Sequence, residues 1–446
     1  MFNKKIKRRT FISLIGLGLL GMASVLFRGS LIHKLKGSIV SFLKMIAPFS
    51  EVHQINRKYQ EKKQDQLSEI YLASERTPYD NLGKILDMMG GIDKYIGKKD
   101  IIIIKPNTQW WNQGRTNLAA IKSFIDHILK IEGFDGEVII AENNHFMDNS
   151  LPNDEKDNNR GWTHLSLING SINGKKYNFN TLIEEYNNSG YKNITKYHWR
   201  DGGIKDNIWG NGQNGGIVTS VAEKDGYVWT KDDYVCSGFW GLKKWYVKMS
   251  YPVFTSKYSG ISIDLKKGAF IREKDGVARF LPDRPIRLIN FAVLNSHGTD
   301  TGITSAVKNY MGITDLSCGW WGLKPEGYVN VHACGGVFYP YAKGGPLGYF
   351  MKTIRKADMN IVTGEWVGWG SRTDPAKAAK MQTILGSTDP IALDYYSSKY
   401  ILFPLSQRDY HNPDNPKSPV RKFLEIALES LGEGTLNEKQ MKVYKI

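Results

Sequence analysis

The run of four isoleucines at positions 101–104 constrains the fold more than any other feature of this sequence. Consecutive β-branched residues favour a strand that is buried on both faces, and Pro106 follows it closely. Apolar residues then recur at helical spacing over residues 117–131, and residues 137–141 are typical of a second strand. Two strands joined by one helix of this length form a right-handed βαβ unit. The sequence therefore predicts a layered α/β fold with a mainly parallel sheet flanked by helices.

Further strands and helices are predicted along the chain, most of them in its C-terminal part. Strands are predicted at residues 286–294 and 359–363, and helices at residues 78–89, 180–187, 305–311, 390–402 and 418–431. Residues 146–285 are instead rich in Asn, Gly, Lys, Tyr and Trp. We interpret them as an irregular, aromatic-rich cap or insertion on a single α/β domain spanning residues 67–446.

The first 30 residues have the order of an export signal. A basic stretch from Lys4 to Arg9 precedes an apolar run that reaches Phe27. The adjacent Arg8 and Arg9, with Phe11 after them, resemble a twin-arginine translocation signal. The alternative is a general secretory signal that carries two arginines. No cleavage site stands out, so residues 1–30 are an export signal or an uncleaved anchor.

Residues 31–66 form an amphipathic segment followed by a polar linker. Apolar residues between positions 31 and 46 recur at helical spacing with lysines among them, which is typical of a helix on an anionic membrane surface. A helix packed on the domain is the alternative. We expect the twin-arginine translocase and the membrane surface as partners. We expect the protein to be periplasmic or membrane-anchored after export across the cytoplasmic membrane.

Charge and cysteine content exclude several classes of protein. The net charge is +16, but the first 50 residues carry nine Lys or Arg and no acid, so the remainder is only mildly basic. This does not favour a nucleic acid as partner. The chain has three cysteines, Cys236, Cys318 and Cys334, so counting excludes a four-cysteine iron–sulfur cluster within it. If folding is completed in a reducing cytoplasm, no structural disulfide is needed.

Polar residues follow the predicted strands, where ligands bind in open α/β sheets. Lys105 and Asn107 follow the isoleucine strand, Asn144 follows the next, and His297 follows the strand that begins at Ile286. Helix capping and turn closure are the alternative roles for such residues.

These residues belong to a pattern that resembles the domain-of-unknown-function 362 family over about residues 67–402. Its most specific pieces are Lys105-Pro106-Asn107, His297 with Thr304 and Lys308-Asn309, and Asp389-Pro390 with Asp394. The resemblance implies the α/β fold and a site with His297, Lys308 and Asp389 as catalytic residues. Substrate-binding residues would be Lys105, Asn107, Asn144 and Asn309. Val293, Asn295 and Thr363 depart from residues that many members have, and the ferredoxin cysteines of many members are missing.

Lysines at such a site could hold a carboxylate or a phosphate, or act as bases when desolvated. His297 could carry a proton or bind a metal, and Asp300, His332, Glu365 or Asp389 could complete a His/carboxylate site. The cofactor is therefore unknown: a divalent metal is possible, although no tight ligand spacing occurs. Trp320 and Trp321, flanked by glycines, could line a pocket for a sugar, aromatic or cationic small molecule, or stiffen the cap by packing.

Two functions remain open from the sequence. The first is an enzyme acting on a small anionic or polar substrate, with possible metal assistance. The second is a non-catalytic ligand-binding or accessory protein at the membrane.

The export route gives a direct prediction. The double variant Arg8→Lys/Arg9→Lys keeps the charge and should block export if the twin-arginine route is used. A reporter fused to the full chain measures the exported fraction. A reporter that still reaches the outside in the double variant would contradict the prediction and favour the general secretory route.

Overall fold

A computed structural model of the chain describes residues 67–143, 161–199, 217–218, 224–237, 244–316, 328–336 and 339–446. The export signal, the amphipathic segment, Asn144, Cys318, Trp320 and Trp321 lie outside these described residues. Among the helices that are described, none is long and apolar enough to cross a membrane.

A nine-stranded sheet forms the centre of the described part. Its strands are β1 (Ser68–Ser74), β2 (Ile101–Lys105), β3 (Glu137–Glu142), β6 (Ile194–His198), β13 (Ile286–His297), β14 (Gly302–Thr304), β16 (Met359–Gly368), β17 (Ala378–Ser387) and β18 (Met441–Lys445). The main path runs β18-β1-β17-β16-β13-β2-β3-β6, with β14 beside β13. The strands from β16 to β6 along this path are parallel. The predicted α/β class is thus confirmed.

The order of the strands reverses between β2 and β13. From β2 the chain proceeds outward through β3 to β6, and from β13 it proceeds the other way to β16. Such a reversal leaves a crevice at the carboxyl ends of the two strands, because their connections leave in opposite directions. The fold therefore leaves a position of this kind beside the end of β2, and β13 continues past it from Asn290, the partner of Lys105, to His297.

Helices cover both faces of this sheet. They are α1 (Pro78–Met88), α2 (Leu118–Leu129), α3 (Phe179–Asn188), α4 (Gly298–Thr301), α5 (Ala306–Asn309), α6 (Gly344–Thr353), α7 (Pro390–Ser397), α8 (Phe403–Ser406) and α9 (Pro419–Leu431). Capping residues begin most of the longer helices: Thr77, Asn117 and Ser418 each accept a backbone N–H of the first turn. One apolar core lies under α1, α2 and α3, and the other under α5, α6, α7 and α9.

Two of the elements that the sequence did not predict help to position the site. Helix α6 contains three glycines and a proline, which disfavour a helix on propensity alone. It forms because it packs against α9 at very short range: a Cβ at Gly344 would lie 2.2 Å from the backbone oxygen of Phe423, and one at Gly348 2.2 Å from that of Ala427. Strand β17 was also missed, although it pairs antiparallel with both β1 and β16.

A second, seven-stranded sheet comes mostly from residues 217–280. Its strands are β7 (Ile217–Val218), β8 (Gly226–Ser237), β9 (Lys244–Thr255), β10 (Ser262–Asp264), β11 (Gly268–Arg272), β12 (Ala278–Phe280) and β15 (Tyr328–Val329). A separate hairpin joins β4 (Ser166–Ile172) to β5 (Lys175–Tyr177). Buried residues of the second sheet, such as Tyr227 and Phe254, belong to the same core as Leu288 of β13.

A disulfide joins the second sheet to the segment that precedes α6. Cys236 of β8 is bonded to Cys334, 98 residues further along the chain, and both side chains are buried. The expectation that no structural disulfide is needed was therefore wrong. Its basis was that folding would be completed in the reducing cytoplasm. The two cysteines are far apart in sequence, and the pairing of β9 with β15 helps to bring them together.

The disulfide should contribute measurably to stability. In Cys334→Ser the unfolded chain loses a long cross-link, so the free energy of unfolding should fall by about 2–4 kcal/mol. Urea unfolding of the oxidised protein measures this change. The denatured, unreduced wild type should titrate at most one thiol; three titratable thiols would show that the bond does not form.

Candidate functional site

Lys105, at the end of β2, is the centre of a buried polar network. We use this name for Lys105, Glu142, Asn309, Asn290 and Asn360. The Lys105 ammonium donates to the carbonyl of Pro106 (2.8 Å), to Glu142 Oε1 (3.0 Å) and to Asn309 Oδ1 (2.8 Å). An ammonium has three donors, so all of them are used inside the protein. Burial lowers the pKa of Lys105, and the Glu142 carboxylate opposes that shift.

The amides of the network connect this lysine to three neighbouring elements. Asn309 of α5 donates to the backbone oxygen of Lys105 (3.0 Å) and to Asn290 Oδ1 (2.8 Å). Asn290 in turn donates to Asn360 Oδ1 (2.8 Å) and to the carbonyl of Ala306 (2.9 Å). The network therefore fixes α5 against β2, β13 and β16. Lys105 and Asn309, predicted to bind substrate, have their polar groups engaged in this way.

Asp394 holds the other end of α5. Its carboxylate accepts the backbone N–H groups of Ala306 (2.8 Å) and Val307 (2.9 Å), the first residues of that short helix. Complete burial raises the pKa of Asp394 to about 7. Contacts with Asp394 at its start and from Asn309 at its end hold α5 in place, and the position of α5 determines where Lys308 lies.

A cluster of cationic side chains lies at the end of β13. We call His297, Lys308, Lys343 and Arg372, with Asp300, the cationic cluster. His297 Nδ1 is 3.2 Å from Arg372 Nη1 and 3.2 Å from Thr304 Oγ1. Because an arginine only donates, Nδ1 accepts and the ring proton is on Nε2, which lies 3.8 Å from Asp300 Oδ2. Lys343 Nζ lies 3.8 Å from the same carboxylate oxygen.

The cationic cluster has more buried positive charge than negative charge. Lys308 and Lys343 are 7% and 2% exposed, whereas the Asp300 side chain is 46% exposed. In the part of the chain that the structure describes, Lys308 has no oxygen acceptor within hydrogen-bonding distance; its nearest polar contact is Met311 Sδ at 3.9 Å. Buried charges are ordinarily paired, so an excess of buried cations over acids indicates a place for an anion.

The pKa shifts in the cationic cluster follow from this imbalance. Burial, followed by the charges of Arg372 and Lys343, lowers the pKa of Lys308 to about 7. Burial and then the charge of Lys308 hold the pKa of His297 well below its usual value, so the imidazole is neutral. A lysine that titrates near neutral pH can donate or accept a proton, as a general acid or base requires.

The structure separates the residues that were predicted to converge. His297 and Lys308 lie together in the cationic cluster, and the charge of Lys105 also acts on Lys308. Asp389 does not join them. It follows Ser387, which pairs with Asn360 near the start of β16. His297 lies at the end of β13, which is parallel to β16, so the two residues lie at opposite ends of the strands.

Asp389 and Asn107 make local contacts at their positions. Asp389 caps α7 by accepting the N–H groups of Ile391 (2.9 Å) and Ala392 (3.1 Å). Asn107 accepts the N–H of Gln109 and belongs to the loop after β2. Convergence at one cleft was therefore wrong for Asp389, because β17 runs antiparallel to its neighbours and reverses the direction in which its end points. Any role for Asn144, Trp320 and Trp321 stays a prediction.

Lys343 and Arg372 were missed at the sequence level. Lys343 directly precedes the unpredicted helix α6, and Arg372 lies in the loop after β16, with its guanidinium 4.8 Å above the ring of Trp110. Neither has a motif around it. His332, which the sequence suggested as a ligand, is buried and adds to the positive environment of His297. The described ranges contain no group of three His, Cys, Asp or Glu side chains placed to hold a metal ion.

These features define an α/β protein with a cluster of buried cations at the end of β13. Residues 286–399, just over a quarter of the chain, match the family model described as Domain of unknown function (DUF362). This segment contains β13, α5, Lys343, Arg372 and Asp394, which is most of the site. The resemblance expected for residues 67–402 is thus confirmed for this segment. No curated protein and no solved structure matches the chain.

The polar network gives a stability prediction. Lys105→Met leaves the Glu142 carboxylate buried without its partner, so the free energy of unfolding should fall by about 3–5 kcal/mol. The control Lys84→Met removes a cation from an exposed pair with Asp87 and should cost no more than about 1 kcal/mol. Urea unfolding compares the two variants, and equal losses would contradict a central role for Lys105.

Proposed function

We propose that this protein is an exported or membrane-anchored enzyme that binds a small anionic substrate, a carboxylate or a phosphate, at the cationic cluster. The observation that carries the proposal is the buried excess of positive charge. Lys308, Lys343 and Arg372 surround a single described acid, Asp300, which is half exposed. An anion would offset the unfavourable desolvation of these cations, and the position at the strand-order reversal supports the same site.

Lys308 is the residue we assign to proton transfer in this proposal. Its pKa near 7 allows both protonation states at neutral pH, whereas an exposed lysine would be almost wholly protonated. Arg372 stays protonated and holds the anion together with Lys343; burial lowers the pKa of Lys343, and the Asp300 carboxylate opposes that shift. His297 is neutral and donates from Nε2 toward the side of Asp300, so it orients a ligand oxygen without adding charge.

The charge of the site favours an anion over a free divalent cation, which the same lysines would repel. Metal assistance therefore requires the metal to arrive with a negatively charged substrate. Turnover separates the enzyme from the alternative, a ligand-binding or accessory protein at the membrane. Tight anion binding without product formation from any activated carboxylate or phosphate ester would favour that alternative.

The buried disulfide supports the exported location. Disulfides persist in oxidising compartments and are rare in the reducing cytoplasm. Cys236 and Cys334 are each almost completely buried, so their bond is part of the fold. The bond supports export and favours neither of the two export routes that the sequence of residues 1–30 leaves open.

Anion binding should be coupled to protonation of Lys308. Sulfate is a suitable probe because it remains divalent over the tested range. A bound anion favours the charged lysine, so affinity should be highest below pH 7 and should fall by up to about tenfold per pH unit above it. Calorimetry at pH 8 in buffers of different ionisation enthalpy should detect proton uptake on binding.

Lys308→Met should weaken sulfate binding at pH 6.5 at least about tenfold, because one charge-assisted contact is lost, and should abolish the pH dependence. Lys84→Met is the control and should change neither the sulfate affinity nor its pH dependence.

The lowered pKa of Lys308 also predicts how the stability of the protein depends on pH. Because folding lowers the pKa of Lys308, the stability that this residue contributes falls as pH falls from about 10 to 7, and Lys308→Met should show a smaller loss of stability over that range than the wild type. Unchanged sulfate affinity in Lys308→Met would contradict the proposed site.

A further inference from the structure

A second cavity lies away from the cationic cluster and has a different chemistry. Its volume is about 990 Å³, and it is formed by the first turns of α1 and α2, the β4–β5 hairpin and the neighbouring parts of β16 and β17. No residue of the cationic cluster lines it. The size is at the upper end of ordinary small-molecule sites, roughly 300–1,000 Å³.

A β-bulge turns an acid into this cavity. The pairing of β16 with β17 shifts register between Gly364 and Trp366, and Gln382 of β17 has a left-handed backbone (φ 47°) opposite the shift. Glu365, at the bulge, is 5% exposed, and its Oε1 lies 3.6 Å from Lys380. Its Oε2 is buried and accepts no hydrogen bond from the described residues. Bulges beside functional sites characteristically re-aim a side chain in this way.

Backbone strain is concentrated around the same cavity. Among the described residues, six that are not glycine have a positive φ, and four of them line it: Glu75, Asn169, Asn173 and Gln382. Asn tolerates this conformation, but Glu and Gln seldom adopt it. Glu75 donates its backbone N–H to the carbonyl of Gln382 (3.2 Å), so the two strained residues support each other. Strain of this kind is common where a protein holds a ligand.

The charges that line the cavity nearly cancel. Asp126 is bound by Lys122 (2.9 Å) and by the Tyr79 hydroxyl (2.9 Å), and Glu365 is near Lys380. Glu75, Asp80 and Arg76 also line the cavity, so its lining has four acids and three bases. An ionic ligand would therefore gain little from this lining. What remains is a buried carboxylate oxygen that needs a donor, amide groups that both donate and accept, and the half-buried indole of Trp366.

We infer that this cavity binds an uncharged, hydroxyl-rich ligand, a short oligosaccharide. A sugar hydroxyl donates to Glu365 Oε2, the amide of Gln382 pairs with further hydroxyls, and the apolar face of a pyranose ring lies on Trp366. Exposed Leu167 of the β4–β5 hairpin extends the apolar surface beside the indole. This inference is independent of the proposed anion site, because the two share no residues.

Three trisaccharides test it: cellotriose, chitotriose and maltotriose, each titrated into the full-length protein by calorimetry. We expect at least one of them to bind with an affinity in the millimolar range or tighter. Spermidine and sulfate are the charged comparisons. No binding by any of the three sugars, or binding of spermidine in their place, would overturn the inference.

The variants locate the binding. Glu365→Gln keeps the size of the side chain and removes the charge of the acceptor, so it should weaken sugar binding about tenfold or more. Trp366→Ala should abolish binding. Trp366→Phe preserves the packing better and should weaken binding, and it serves as the test if the alanine variant fails to fold. Glu425→Gln on α9 is the matched control and should have no effect. Sugar affinity that is unchanged in both Glu365→Gln and Trp366→Phe would overturn the assignment to this cavity.

Discussion

The ammonium group of Lys105 is the interaction on which the described site depends. It lies where β2, β3 and α5 meet, and each of its three donors contacts a different part of that junction. Glu142 completes the arrangement, since its second oxygen accepts the N–H of Thr108 (2.8 Å) in the loop after β2. There is no room for a larger neighbour: a Cβ at Gly312 would lie 2.3 Å from the Lys105 nitrogen. An ion pair so deeply buried is costly to desolvate, and it persists because the polar side-chain atoms of the network have partners.

The same constraint explains how one buried lysine can be structural while another remains available. Lys308 is a residue of α5, Lys105 contacts that helix through Asn309, and both lysines are almost inaccessible to solvent. Lys105 has three oxygen acceptors, so its charge is compensated. Lys308 has cations for neighbours, which together with burial bring its pKa to about 7. Helix α5 is only four residues long, so its position, and with it that of Lys308, comes from Asp394 and Asn309 and not from its own helical stability.

Strand β16 connects two chemically different regions. Its bulge directs Glu365 toward a cavity with nearly balanced charge, and the loop after it supplies Arg372 to the cationic cluster. A site for an anion and a site for an uncharged ligand can therefore occur in one fold without competing for residues. Helix α6 and the Cys236–Cys334 disulfide secure the Lys343 side of the cationic cluster, because the bond lies a few residues before that helix.

The sequence by itself determined the βαβ unit, the α/β class and the position of His297 and Lys308 beside a strand end. These features depend on local periodicity and on β-branched runs, which are readable in one stretch of chain. Only the tertiary structure decided which lysine is paired, that Asp389 lies at the opposite end of the strands, and that Lys343 and Arg372 complete the cationic cluster. Those outcomes depend on the antiparallel direction of β17, on glycine-mediated packing of α6 against α9, and on contacts between residues far apart in sequence. No local pattern encodes such contacts, because the partners of a buried charge are chosen by the packing of the whole domain.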